Sequence, residues 1–205
     1  MRYTIDMLVA AAPYVVLVAL IAYSVRTVIF IIGAARERQR RIPYTVPMPT
    51  PIPFISVVIP ARNEEHTIAH CVHSLLASNY PQECFEIVVV NDRSTDRTGE
   101  VLQLLQRDIP NLVIHNTVDD NTNVNLQGKP RALHQGIMHS RGEYILMTDA
   151  DCIVPPTWIP AIVQTFQNAH IGLIAAYTVP KGKRLFDYLQ MHEWLLNNTM
   201  ASAGV

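Results

Sequence analysis

Glycine is scarce in this chain, 8 of 205 residues, and none falls in a Gly-x-Gly-x-x-Gly array or a Gly-x-x-x-x-Gly-Lys-Ser/Thr loop. Those arrays bring backbone N–H groups against a dinucleotide pyrophosphate or a nucleoside triphosphate. Without them, a nicotinamide enzyme and a P-loop kinase are not indicated, and a nucleotidyltransferase with its Gly-rich phosphate loop is disfavoured. An excess of one charge is missing too. Sixteen Lys+Arg against 17 Asp+Glu leave a net charge of −1, which argues against a nucleic-acid binder relying on phosphate neutralisation. The three cysteines, Cys71, Cys84 and Cys152, lack metal-ligand spacing. Odd in number, they read as free thiols in a reducing compartment.

What the chain does have begins with an apolar front. Met7 to Val25 is 19 residues without a charge, followed by Arg26 and an apolar tail from Val28 to Ala35. A membrane-spanning helix needs about 20 such residues, so a transmembrane helix is expected over residues 7–35, with Arg26 snorkelling toward an interface. The run is too long, and Arg2 too thin a positive start, for a cleaved signal peptide. Arg36, Arg38, Arg40 and Arg41 crowd behind the span. The positive-inside rule then puts the N-terminus outside and the rest on the cytoplasmic face of the inner cell membrane. That basic cluster also suits anionic lipid. Residues 36–53 read as a basic, proline-rich linker, with five prolines between Pro43 and Pro53.

From residue 54 onward strands and helices alternate. Strands are expected at Ile55–Ile59, Ile87–Val90, Leu112–His115, Tyr144–Thr148 and near Leu173–Tyr177. Helices are expected at Glu65–Leu76, Asp96–Gln106, Pro130–Ser140 and near Trp158–Gln167. Continuous apolar strands between amphipathic helices predict an α/β fold, a mostly parallel sheet with helices on both faces. Three strand-end loops are polar: Pro60-Ala61-Arg62-Asn63-Glu64-Glu65, Asn91-Asp92-Arg93-Ser94-Thr95-Asp96-Arg97-Thr98, and Asp149-Ala150-Asp151. A parallel sheet gathers such loops along one edge, where ligands bind. The pair Asp149 and Asp151 forms a compact oxygen-only site, suited to a hard divalent cation that takes its other ligands from water and substrate phosphates. Asp92 stands where it can accept hydrogen bonds from a base or ribose, whereas Asp96 reads as the cap of the next helix.

These stretches, with Gly128-Lys129-Pro130-Arg131-Ala132-Leu133, resemble the family 2 glycosyltransferases over Ser56 to about Val179. The resemblance implies an inverting enzyme with the GT-A nucleotide-diphospho-sugar fold. It places Pro60, Ala61 and Glu64 on the nucleoside, Asp92 on the base and Lys129 near phosphate. Asp149 falls near the ribose, and Asp151 becomes the ligand of a Mg2+ or Mn2+ ion on the diphosphate. The expected partners are a nucleotide-diphospho-sugar donor, a lipid or glycan acceptor and the membrane. A UDP-sugar is the expected donor, although these residues do not themselves separate UDP from GDP.

An inverting transferase also needs a general base for the acceptor hydroxyl, which in this family lies well downstream of the Asp pair. No such base is found before Val205. Glu193, the one acid after Asp187, lies in a broadly apolar helical stretch (Leu185 to Met200) that more often packs against a domain or membrane surface. Residues 54–205 therefore read as a donor-binding domain with a truncated acceptor side, inactive in transfer by itself. A polyprenyl-phosphate sugar transferase shares the same front-half motifs, and a non-catalytic nucleotide-sugar-binding fragment fits the missing base. His66, His70 and His73 recur at helical spacing off the apolar face, which makes a solvated helix face the ordinary reading rather than a metal site.

Overall fold

The computed structural model describes residues 2–39, 47–118, 126–167, 170–176, 178, 186–187 and 190–191. The chain divides into two compact units, Met1–Pro43 with Ala175–Val205, and Tyr44–Ile174.

In the first unit, α1 runs from Arg2 to Gln39 as one helix. It contains Ala10–Ile29, a 20-residue stretch long and apolar enough by length and composition to cross a membrane. The helix continues past Ala35, so Arg36 and Arg38 are helical. Alanine, arginine, glutamate and glutamine all propagate a helix well, and no breaker intervenes before Pro43. Glu193 and most of the apolar stretch after Leu185 lie outside the described residues.

The second unit is an α/β body. Its strands are β1 (Ile55–Ala61), β2 (Phe85–Asn91), β3 (Leu112–Asn116) and β4 (Tyr144–Met147), and its helices are α2 (Ile68–Leu76), α3 (Thr98–Asp108), α4 (Lys129–Met138) and α5 (Trp158–Phe166). The strands form one sheet in the order β3-β2-β1-β4, parallel at every pairing. Alternation along the central strands divides the core. Ile55, Val57, Ile59, Phe85, Ile87 and Val89 point to one face, with Ile68, Val72 and Leu75 of α2, Leu102 of α3 and Ile159 and Val163 of α5. Val58, Val88 and Val90 point to the other, under Ala132 of α4. A strand buried on both faces has no polar side to show, which explains the unbroken apolar runs.

Two sequence expectations shift. The helix expected from Glu65 starts at Ile68, and the N–H groups of Glu64 and Glu65 ahead of it bond to Thr98 Oγ1 and Asp96 Oδ2 of the neighbouring loop. Leu173–Ala176 forms no strand, while Tyr177 is outside the described residues. Apolar, β-favouring residues supply propensity, but a strand also needs a partner edge for its ladder, and Leu173 is left exposed.

Candidate functional site

The chain puts its chemistry at the carboxyl ends of β1, β2 and β4. A cavity of about 220 Å³ there is lined by Pro60, Ala61, Arg62, Glu64, Asp92, Lys129, Ala132, Asp149, Ala150 and Asp151. Every residue expected at the site from the sequence is among them. Arg62, Ala132 and Ala150 complete the wall. Arg62 was visible in the first loop motif, but nothing in its spacing distinguished it from a solvated arginine.

The first two loops are built as one piece. Asn63 N–H donates to Ser94 Oγ at 3.0 Å, Thr95 N–H to Asn63 Oδ1 at 2.8 Å and Arg97 N–H to Glu65 Oε2 at 2.8 Å. Asn63 and Arg93 take left-handed backbone conformations, φ 58° and 53°. Such conformations are costly for residues other than glycine, although asparagine tolerates them better than most, and the surrounding bonds hold them. Asp96 serves both loops. The N-cap position of α3 is Arg97 rather than Asp96, but Asp96 Oδ1 accepts from Thr98 N–H, the first residue of the helix, and its Oδ2 accepts from Glu65 N–H. Burial would raise its pKa, but the Thr98 and Glu65 hydrogen bonds outweigh that and hold it below the ordinary aspartate value.

Asp92 is the buried acid of the cavity wall. Its N–H donates to Ala61 O at 2.8 Å, which ties the end of β2 to the end of β1. Lys129 is the first residue of α4, after Gly128 at φ 59°, the left-handed region that favours glycine. Its Nζ lies 2.6 Å from Asp149 Oδ1, with both side chains about half exposed. Asp151 is exposed at the cavity rim.

Beneath the Asp pair, the buried Cys71 Sγ lies 3.5 Å from Asp149 O. Burial pushes the Cys71 thiol up to about 12, helped by the negative fields of Cys152, Asp151, Asp149 and Glu64. Glu64, Asp149 and Asp151 are acids of the same cavity wall. Such a donor set, hard, oxygen-only and partly open, fits a divalent cation that keeps open positions for phosphate and water. Among the described residues, no three acidic, histidine or cysteine groups converge as a closed metal cage. His66, His70 and His73 are exposed along one side of the α2 region, the solvated face expected of them.

A parallel sheet with an acidic cleft at its strand ends defines a class, the GT-A fold of nucleotide-sugar glycosyltransferases. The same fold is seen in the mannosyltransferase PcManGT from Pyrobaculum calidifontis, solved with GDP-Man and Mn2+ (TM-score 0.54, 25% identity, covering 82% of this chain and 46% of that one). Within that class the chain belongs to glycosyl transferase family 2, which it matches over residues 56–203. It is similar to the glycosyltransferase AglE of Haloferax volcanii, 30% identical over 163 residues, or 75% of this chain and 52% of the relative. It is also similar to the beta-monoglucosyldiacylglycerol synthase of Trichormus variabilis, 30% identical over 143 residues, or 70% of this chain and 29% of the relative. The chain thus spans about half of the first relative's length and under a third of the second's.

Proposed function

We propose that the cavity binds a nucleotide-diphospho-sugar and that the chain serves an inverting glycosyl transfer to a lipid or glycan acceptor at the cytoplasmic membrane face. The observation that carries this reading is the convergence of Pro60, Ala61, Glu64, Asp92, Lys129, Asp149 and Asp151 on one cavity. Four separate stretches of sequence supply them. The relatives' names support the acceptor class: one is a synthase of a glucosylated diacylglycerol.

In this reading Pro60, Ala61 and Glu64 line the nucleoside side and Asp92 meets the base. Lys129 exchanges its bond to Asp149 for one to the diphosphate, which frees the Asp149 carboxylate to meet the ribose. Asp151 would hold a Mg2+ or Mn2+ ion. Such an ion supplies positive charge where negative charge develops on the departing diphosphate. The neighbour bound to GDP-Man and Mn2+ supports that choice of metal. The base that deprotonates the acceptor hydroxyl is assigned outside the described residues, because the acids of the cavity wall are all committed to the donor.

Calorimetric titration of UDP and GDP, with and without Mn2+, tests the assignment. Asp151→Ala is expected to abolish the Mn2+-dependent part of binding. Asp149→Ala is expected to weaken binding while keeping its dependence on the metal. Metal dependence that persists undiminished in Asp151→Ala would refute the metal assignment.

A further inference from the structure

Two histidines meet where α4 passes the edge strand β3. Val113 of β3 packs with Val58, Val88, Val90 and Ala132 under α4, and strand alternation turns His115 to the same face. There its ring meets that of His139, the C-cap of α4, with centroids 4.0 Å apart and planes tilted by 31°. His139 Nδ1 lies 2.7 Å from Gln135 O. A carbonyl only accepts, so Nδ1 carries the hydrogen and a further proton would enter at Nε2. His115 Nε2 is buried and meets no hydrogen-bond partner among the described residues. Beside the rings, the buried Gln135 clasps the chain as it leaves β3. Its Nε2 donates to Val118 O at 2.8 Å and its Oε1 accepts from Val118 N–H at 3.2 Å. Thr117, one residue earlier, donates its hydroxyl to Asp92 Oδ1 at 2.9 Å in the cavity wall.

We propose that His115 and His139 form a pH-sensitive latch between α4 and β3, closed while His115 is neutral and opened when it takes a proton. Neither histidine lines the cavity, so the latch stands apart from the donor site. A proton on His115 Nε2 would be a buried donor without an acceptor, which is costly. It would also set a positive charge against the His139 ring. The charged ring escapes both costs only by turning out to water, which parts it from His139. Burial and the field of His139 accordingly hold His115 below the ordinary histidine value of 6.5, although a hydrogen bond with the Gln135 side chain works the other way. The closed state is thus favoured above 6.5 and loses ground as pH falls below it, because the opened ring binds the proton more readily. The other charged groups of the surrounding elements are committed elsewhere or carry the same sign. On β2, Glu86 is bonded to Arg141 and Asp92 to Thr117 and Arg93. Helix α4 adds His134 and Arg131, and α3 packs on the opposite face of the sheet.

The test is NMR on the full chain in detergent micelles, following the His115 ring and the Val118 amide from about pH 7.5 down to about pH 5, the range in which histidine titrates. The His115 ring is expected to titrate below 6.5. Protection of the Val118 amide from hydrogen exchange, corrected for the chemical rate at each pH, should fall once pH is below 6.5. The slope of one linked proton is at most about tenfold per pH unit. The Asp92 amide, bonded to Ala61 O inside the sheet, should keep its protection. His115→Phe retains a ring for the stack but cannot charge, so its Val118 protection should stay level. A His115 titration at or above 6.5 overturns the inference. So does a Val118 protection that ignores pH in the wild type, or the same slope in a folded His115→Phe. An equal loss at Asp92 would assign the change to unfolding of the whole body and would overturn it as well. Where the phenylalanine variant does not fold, the wild-type titration and exchange still decide the matter.

Discussion

Glu86 is 1% exposed, the most deeply buried of the described acids, and it lies at the opposite end of the sheet from the cavity. Its Oε1 accepts from Ser56 Oγ at 2.7 Å and Arg141 N–H at 2.8 Å, and its Oε2 from Arg141 Nε at 2.9 Å and Nη2 at 2.7 Å. Burial would raise its pKa, but the bonds from Ser56 and Arg141 and the guanidinium charge outweigh that and hold it below the ordinary value of 4.5. A folded-state pKa that is depressed adds stability above the unfolded value, and the gain is lost as pH falls through the folded one. Glu86→Gln should therefore cost about 2 kcal/mol near pH 7, the scale of charge-assisted hydrogen bonds. The gap between wild type and variant should close as pH drops below 4.5. Urea unfolding across that range checks it, and a gap independent of pH would assign the effect to packing. A charged residue inside the apolar run Phe85–Asn91 is a legible anomaly in the sequence. Its partner, 55 residues away, is not. For Asp92 likewise, the strand-end position was readable, but the Thr117 hydroxyl that donates to its Oδ1 comes from 25 residues away.

At the scale of elements, apolar periodicity located all four observed strands and the four helices of the α/β body. The boundary of α2 moved to Ile68, with Glu64 and Glu65 bonded instead to the loop after β2. The expected strand near Leu173 failed because pairing is a property of two segments. Helix α4 shows another feature that periodicity does not reveal. A Cβ built on Gly136 would lie 2.5 Å from Val58 Cγ1 and 2.8 Å from Val90 Cγ2. The absent side chain lets α4 rest directly on the sheet, with Lys129 at its N-terminus. Replacing a helical glycine by alanine ordinarily gains about 1 kcal/mol, whereas overpacking a core costs about 1–3 kcal/mol. Here the clash is with buried valines that cannot withdraw, so Gly136→Ala is expected to destabilise by about 1–2 kcal/mol. It should also weaken UDP binding through displacement of Lys129. Thermal unfolding and titration calorimetry on the same preparation check both effects, and a stabilised variant would show that α4 can lift off the sheet freely.

For the whole molecule, α1 leads to a third prediction, the proposal that it anchors the chain. Removing residues 1–39 should move the protein from the membrane pellet to the supernatant, because Ala10–Ile29 is the stretch long and apolar enough to cross a bilayer among the described residues. With the anchor intact, the α/β body should be cleaved by protease in inside-out vesicles and spared in intact cells, as the arginines after the span require. The opposite pattern would reverse the orientation. By itself the sequence determined the class of fold, the polar strand-end loops and the identity of the acids in the cavity. Those follow from local patterns: apolar runs of strand length, amphipathic helical spacing and short motifs at strand ends. The tertiary structure alone decided that the loops lock into one piece, that Lys129 meets Asp149 and that Thr117 reaches Asp92 from beyond β3. Each depends on which strands are neighbours and how closely a helix approaches them, and parallel strands meet only through long crossovers that leave no mark in any short window of residues.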